Sequence, residues 1–454
     1  MKASLFRPDF PFSPAKFPVF YGWIILVASI LGVMTSIPGQ TIGVSVFTEY
    51  LMSATGLSRL QLANAYLVGT LTSGCLLPFG GKFLDRLGSR RVAVIAAVGL
   101  GLTLGYLTVC DRISIILSDR LALDPALIAM ILLIIGFVSL RFCGQGMLTM
   151  TSRTMLGKWF ERRRGQVSGI EGIFVAFGFA IAPWVFSQAI ALFGWRGTWR
   201  LLAVVVGFGM SSVGWLLFRD NPEMCGLRMD GETSSVVDIQ VIDVRETDQQ
   251  KEDILIEPLW GFTRRQALKT LAFWAVSLAF ASQALSITGI TFNIVSIGAE
   301  MGISESDIVT IFIPNAMVST VVGFVVGLLC DHLRLQLIFV FMMVAQAVGI
   351  AAVANLDRPE MWALAVVGLG ISSGCFGTLT TVVLPRFFGR AHLGAISGVQ
   401  MMLIVIASAL GPSLLANSKA MTGSYISGLY ACCLFAPVVI GLMAFVRSPQ
   451  PQKM

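Results

Sequence analysis

Arg141 is the residue of this 454-residue chain whose placement most needs an explanation. It stands about 15 residues into an apolar run, which at 1.5 Å per residue puts it near the middle of the layer that the run crosses. A guanidinium in such surroundings is costly and is retained where it faces a bundle interior or a water-filled cavity. Its planar fork of donors matches a carboxylate. Gln145 follows one turn later on the same helical face, and Gly144 and Gly146 leave room beside it. The pattern is that of an anion-binding arginine, with a structural arginine bonded to backbone carbonyls as the alternative. Arg153 and Glu171 lie one to two turns inside the ends of their own apolar runs; they read either as a structural pair or as a protonatable gate at Glu171. Uncharged polar residues complete the set of solute contacts: Gln40 and Thr41 beside the breaker Pro38 and Gly39, then Tyr66, Gln283, Asn315 after Pro314, and Gln400. Serines and threonines in such runs mostly bond to their own helix or act as glue between helices, so the amides are the stronger candidates.

The same inventory excludes other chemistry. Two histidines and eight scattered cysteines without a C-x-x-C spacing give no nucleophile or metal cluster. No phosphate-binding P-loop is present, so neither an enzyme nor a cofactor is implied.

These residues must be held by elements that live in lipid. The chain is 56% hydrophobic and 13% charged, about half the charge of a soluble domain. A spanning helix needs about 20 apolar residues. Twelve such runs follow one another from 20–48 to 423–446, including 126–156, 165–193 and 198–219. They fall into six, a polar break and six. The expected organisation is an N-terminal six-helix bundle over 1–219, an acidic linker over 220–263 and a C-terminal six-helix bundle over 264–454. The linker, rich in Asp and Glu with few aromatics, cannot bury a core and is expected to be flexible. Most of the 32 Lys and Arg fall in loops on the side of both termini, which predicts that termini and linker are cytoplasmic. The net charge of +7 is thereby used in topology, and nucleic acid is not an expected partner.

The two halves echo one another. The second run ends in Gly81, Asp85, Arg86, Gly88, Arg90 and Arg91, and the eighth in Gly327, Asp331, His332 and Arg334. Each is Gly-x-x-x-Asp followed by basic residues. The fourth run is followed by Trp159, Phe160, Arg162 and Gly165, and the tenth by Phe387, Phe388, Arg390 and Gly394. The same order in both halves marks a parallel repeat of six helices.

The loop from Gly81 to Arg91 resembles the signature of the major facilitator superfamily, and the resemblance extends over nearly the whole chain. It implies an all-α polytopic membrane protein with 12 transmembrane helices in two pseudo-symmetric six-helix bundles. It implies conformational latches at Gly81, Asp85, Arg86, Arg90 and Arg91, and at Gly327, Asp331 and Arg334. In the family the first, fourth, seventh and tenth helices line the cavity. Lys158, Trp159 and Arg162 before the fifth run, Gly194, Trp195 and Arg196 before the sixth, and Tyr21 to Trp23 look like the monocarboxylate and oxalate–formate branch. That branch carries an acidic residue and an arginine in its eighth helix and a lysine in its first. Here 315–327 is uncharged, and Gln40 or Thr41 stands near the lysine's place. The expected function is secondary active transport of a small organic anion, such as a monocarboxylate, by a monomer in the plasma (inner) membrane, driven by a gradient or by exchange. Transport of a neutral or amphipathic solute and a transporter-like solute sensor are the alternatives.

Overall fold

The computed structural model describes residues 6–231 and 260–446; the linker residues 232–259, where most of the acidic run falls, lie outside the described residues. Helices account for nearly every regular element, because every backbone N–H and C=O must be paired internally where lipid offers no partner. In chain order the membrane helices are α1 (Gly22–Thr35), α2 (Arg59–Leu87), α3 (Ser89–Leu107), α4 (Pro125–Trp159), α5 (164–193), α6 (195–217), α7 (Leu271–Glu300), α8 (Ser306–Cys330), α9 (Leu335–Val353), α10 (Pro359–Phe388), α11 (Leu393–Thr422) and α12 (Ile426–Phe445). The α5–α6 stretch is helical for 54 residues, roughly 80 Å at 1.5 Å per residue and far beyond a bilayer core of about 30 Å. It resolves into two spans at Gly194, whose φ of 69° only glycine adopts at no steric cost.

The buried apolar residues form one cluster drawn from Tyr21 to Cys225 and two drawn from Ala267 to Val446. The halves meet along α2 against α11 and α5 against α8. Small residues let these backbones approach closely. A Cβ on Gly81 would stand 2.1 Å from the Gly394 carbonyl oxygen, and a Cβ on Gly165 2.0 Å from that of Gly327.

Two departures from regular helix geometry lie opposite each other between α1 and α4. The first expected span breaks after α1: a 3-10 turn covers Ile37–Gly39 and a new short helix starts at Thr41. Pro38 lacks the N–H that a continuing helix needs. Across from it, Phe142–Leu148 of α4 is a π-helical turn. The two segments touch, with a Cβ on Gly39 only 2.8 Å from the Gly144 Cα. Irregular backbone at this depth is tolerated where it is buried in protein or lines a cavity, and π turns concentrate at functional sites.

The start of the expected linker is ordered. Asp220 accepts a hydrogen bond from the Arg90 amide (3.1 Å), and Asp230 accepts from the amides of Glu161 and Arg162 at 3.0 and 2.8 Å. Carboxylates accepting from backbone N–H groups hold this segment, and Cys225 and Leu227 anchor it to the N-terminal core.

Candidate functional site

The face that carries the basic loops is sealed by two matching contacts. Asp85, at the end of α2, accepts hydrogen bonds from the amides of Gly394 (2.8 Å) and Ala395 (2.7 Å) at the start of α11. Asp331, just after α8, accepts from the amides of Gly165 (2.9 Å) and Gln166 (3.1 Å) at the start of α5. Each carboxylate satisfies two of the orphan donors of a helix N-terminus and sits at its positive end. Burial pushes the Asp331 carboxyl above its ordinary range, against the lowering pull of those two donors and of Arg386, so desolvation offsets part of what the latch gains.

The basic residues of the signature loops do other things. Arg90 is buried and donates to the carbonyls of Trp215 (2.7 Å), Arg7 (2.8 Å) and Phe10 (2.8 Å), pinning the N-terminal arm within its own half. Arg219 does the same through Pro8 and Phe10. Arg86, Arg91 and Arg334 are exposed. A cross-half contact that the sequence did not single out is made by Arg390, which donates to the Lys158 carbonyl (2.8 Å) and pairs with Glu223 at 2.9 Å. Its only trace in sequence is its place in the repeated segment after the tenth run.

Behind this seal, between the halves, lies a cavity of about 210 Å³. Drug-sized ligands occupy cavities of roughly 300–1,000 Å³, so this one suits a small solute. From the N-terminal half it is lined by Val33, Gln40, Gln145, Thr149, Arg153 and Phe179, and from the other half by Phe376, Thr380, Leu384, Ser397, Gln400 and Met401, with further neighbours that include Thr154 and Thr381. The walls are therefore α1, α4 and α5 against α10 and α11. The resemblance implied α7 in this position, but α7 contributes no lining residue and α11 does.

The broken α1 and the π turn of α4 position the polar wall. Gln40 Nε2 donates to Ser36 Oγ (3.2 Å) and reaches Thr149 Oγ1 (3.4 Å), which is itself 3.1 Å from Ser36 Oγ. Gln145 Oε1 and Gln400 Nε2 are buried and have no protein partner. A buried polar atom without a partner costs about 1–3 kcal/mol. Among the described residues, Arg153 is the one charged side chain lining the cavity. It donates to Thr380 Oγ1 of α10 at 3.1 Å, and its Nε stands 3.7 Å from Glu171 Oε1.

Three of the eight solute contacts expected from sequence, Gln40, Gln145 and Gln400, line this cavity; the other five are not among its lining residues. Arg141 is 2% exposed. Its Nη1 reaches the Gly39 carbonyl (3.4 Å) and Thr41 Oγ1 (3.3 Å), and its guanidinium lies 5.5 Å from the Tyr66 ring centroid. Tyr66 donates to Thr41 Oγ1 at 3.0 Å. Gln283 reaches Ser373 (3.4 Å), and Asn315 donates to the Val366 carbonyl (3.3 Å), both inside the C-terminal half. Helical spacing puts Arg141 and Gln145 on one face, yet Arg141 bonds toward Gly39 and Thr41 while Gln145 lines the cavity, with the π turn of Phe142–Leu148 between them. Length matters as well: α4 runs for 35 residues, about 52 Å. Counted back from Lys158 at its basic end, the middle of a 30 Å layer falls near Leu148, with Arg141 and Arg153 about equally far to either side.

The family profile described as Major Facilitator Superfamily matches residues 20–412. No curated protein sequence matches the chain significantly. Among solved structures, the fold is shared with a proton:xylose symporter, XylE (TM-score 0.64, 16% identity, covering 95% of this chain and 97% of that one). It is also shared with the human organic anion transporter TETRAN (TM-score 0.59, 11% identity, 93% and 99%). A bacterial homologue of the iron transporter ferroportin, solved in an outward-facing state, gives a TM-score of 0.62 at 14% identity, over 92% and 99%. At these identities the likeness is one of fold.

Proposed function

The chain belongs to the Major Facilitator Superfamily, and from that premise we propose that it is a secondary active transporter of a small organic anion, a monocarboxylate being the simplest fit. The carrying observation is the cavity between the halves, in which Arg153 is the one charged lining residue among those described and Gln145 and Gln400 add amides, each with one buried unpartnered atom. A carboxylate would neutralise that charge and accept from Gln400 Nε2, while a hydroxyl on the solute, as in lactate, would donate to Gln145 Oε1. Arg141, tethered to Gly39 and Thr41, positions the broken segment that presents Gln40. Positive-inside placement of the basic loops makes the sealed face cytoplasmic, so this conformation is closed to the cytoplasm and opens there when the Asp85 and Asp331 latches release. One chain encloses the whole cavity, so a monomer suffices.

The wall from α10 and α11, with Phe376, Leu384 and Met401, supports a second reading in which the solute is neutral or amphipathic. Uptake by proteoliposomes separates the two. Labelled acetate, lactate and oxalate are compared with a neutral sugar and an amphipathic amine, with and without an inward proton gradient. Saturable carboxylate uptake that is lost in Arg153→Ala supports the anion reading. Flux of the neutral solute alone overturns it.

A further inference from the structure

Resting on the anion reading, we propose that Glu171 and the transported carboxylate compete for Arg153, and that this competition makes the carrier a proton–anion symporter.

The geometry shows a pair that is held loosely and can be parted. Glu171 is 3% exposed, and the 3.7 Å between its Oε1 and Arg153 Nε is well beyond the 2.7–2.9 Å of a charge-assisted hydrogen bond. Neither of those two atoms has a hydrogen-bond partner. The other end of the same guanidinium is bonded to Thr380 across the interface between the halves. Arg153 also lies on the border of two cavities. It lines the one that holds Gln145 and Gln400, and it lines a second, of about 150 Å³, together with Glu171 and Gly172. One cation thus faces a solute cavity on one side and a buried carboxylate on the other.

Arg153 is, among the described residues, the one charged group acting on Glu171. Among the described residues, α8 turns Ser319 and Thr320 toward the second cavity and α10 turns Ser373 and Thr378. Thr381 of α10 is the other polar neighbour. The α1 helix holds no charged residue, and α3 carries its charges only at its basic end. When a solute carboxylate draws the Arg153 fork to itself, Glu171 is left as a buried and unpaired anion. Such a group takes up a proton rather than remain charged. The proton comes from the solution on the side from which the solute entered. It returns to solution on the opposite side, when the departing anion leaves Arg153 to Glu171 again. Linkage is reciprocal: anion binding raises the proton affinity of Glu171, and protonation of Glu171 raises anion affinity.

The test uses the full-length protein in detergent, titrated by calorimetry with acetate, lactate and oxalate between pH 5 and 8, with proton uptake followed by an indicator in weakly buffered solution. For the wild type, affinity is expected to weaken by up to about tenfold per pH unit on the alkaline side, and binding to take up close to one proton per anion. Glu171→Gln, the mimic of the protonated state, should bind tightly with no pH slope and no proton uptake. In liposomes it should exchange anion for anion but no longer accumulate it against a proton gradient. Glu171→Asp retains a titratable group and should restore the slope. Anion binding by the wild type without proton uptake, or an unchanged slope in a folded Glu171→Gln, overturns the coupling while leaving the anion reading in place. Failure of the folded wild type to bind any of the three carboxylates at pH 5 overturns both.

Discussion

The two halves of this transporter are nearly interchangeable at the basic face and unlike each other at the cavity. Asp85 caps α11 and Asp331 caps α5 with the same pair of hydrogen bonds, and glycine pairs bring the backbones equally close beside both. Deeper in, Arg141, Arg153 and Glu171 all belong to the N-terminal half, while the C-terminal half offers Thr380, Ser397 and Gln400. Conformational control requires both halves to release together, so duplication preserves it. Recognition of an asymmetric solute requires one charged wall, and one copy of the repeat supplies it.

The largest expected effect tests the asymmetric part. Arg153→Ala should weaken carboxylate binding by roughly 100-fold, about 3 kcal/mol, the upper range for a hydrogen bond to a charged group. Arg153→Lys should lose about tenfold, because a point charge replaces a planar fork. Gln400→Ala, on the neutral wall, should cost less than either. Calorimetry gives all three, and an equal loss from both walls would break the comparison.

The symmetric part is tested by pairs. Gly81→Ala and Gly165→Ala each place a methyl about 2 Å from a carbonyl oxygen across the interface. Overpacking of this kind costs about 1–3 kcal/mol, so each should shift the population toward the form open at the basic face by roughly 5- to 100-fold. Spin labels at the exposed positions Lys82 and His392 report the separation. Asp85→Asn and Asp331→Asn should act in the same direction with a smaller shift, about fivefold each, as expected for a weakened helix cap. Similar magnitudes within each pair confirm a duplicated device, and one dominant member would refute it.

The smallest expected change in affinity is at Arg141. Arg141→Ala should leave carboxylate affinity within about threefold and lower the melting temperature by a few degrees, since it strips a donor from Gly39 and Thr41 rather than from the cavity. A loss in affinity comparable to that of Arg153→Ala would move the anion site toward Tyr66 and sharpen the asymmetry in a different place.

Much of the architecture follows from sequence for physical reasons that need no coordinates. Apolar runs of about 20 residues read as lipid-spanning helices, and the repeated Gly-x-x-x-Asp loops point to the Asp85 and Asp331 contacts through the family signature they resemble. A primary amide is expensive to face toward lipid, and that reasoning picks out Gln40, Gln145 and Gln400, which line the cavity, and equally Gln283 and Asn315, which bond within the C-terminal half instead. The remainder was decided by tertiary structure. Only the backbone shows the π turn at Phe142–Leu148, because an extra residue in one helical turn leaves no mark in hydropathy. Only packing shows that Arg90 holds the N-terminal arm and that Arg390 bridges the halves, since a basic loop reads the same whether it faces solvent or a carbonyl. The choice between Arg141 and Arg153 as the cavity's cation was of that kind: both lie inside α4, and what distinguishes them is which carbonyl, hydroxyl or carboxylate the neighbouring helices bring to meet them.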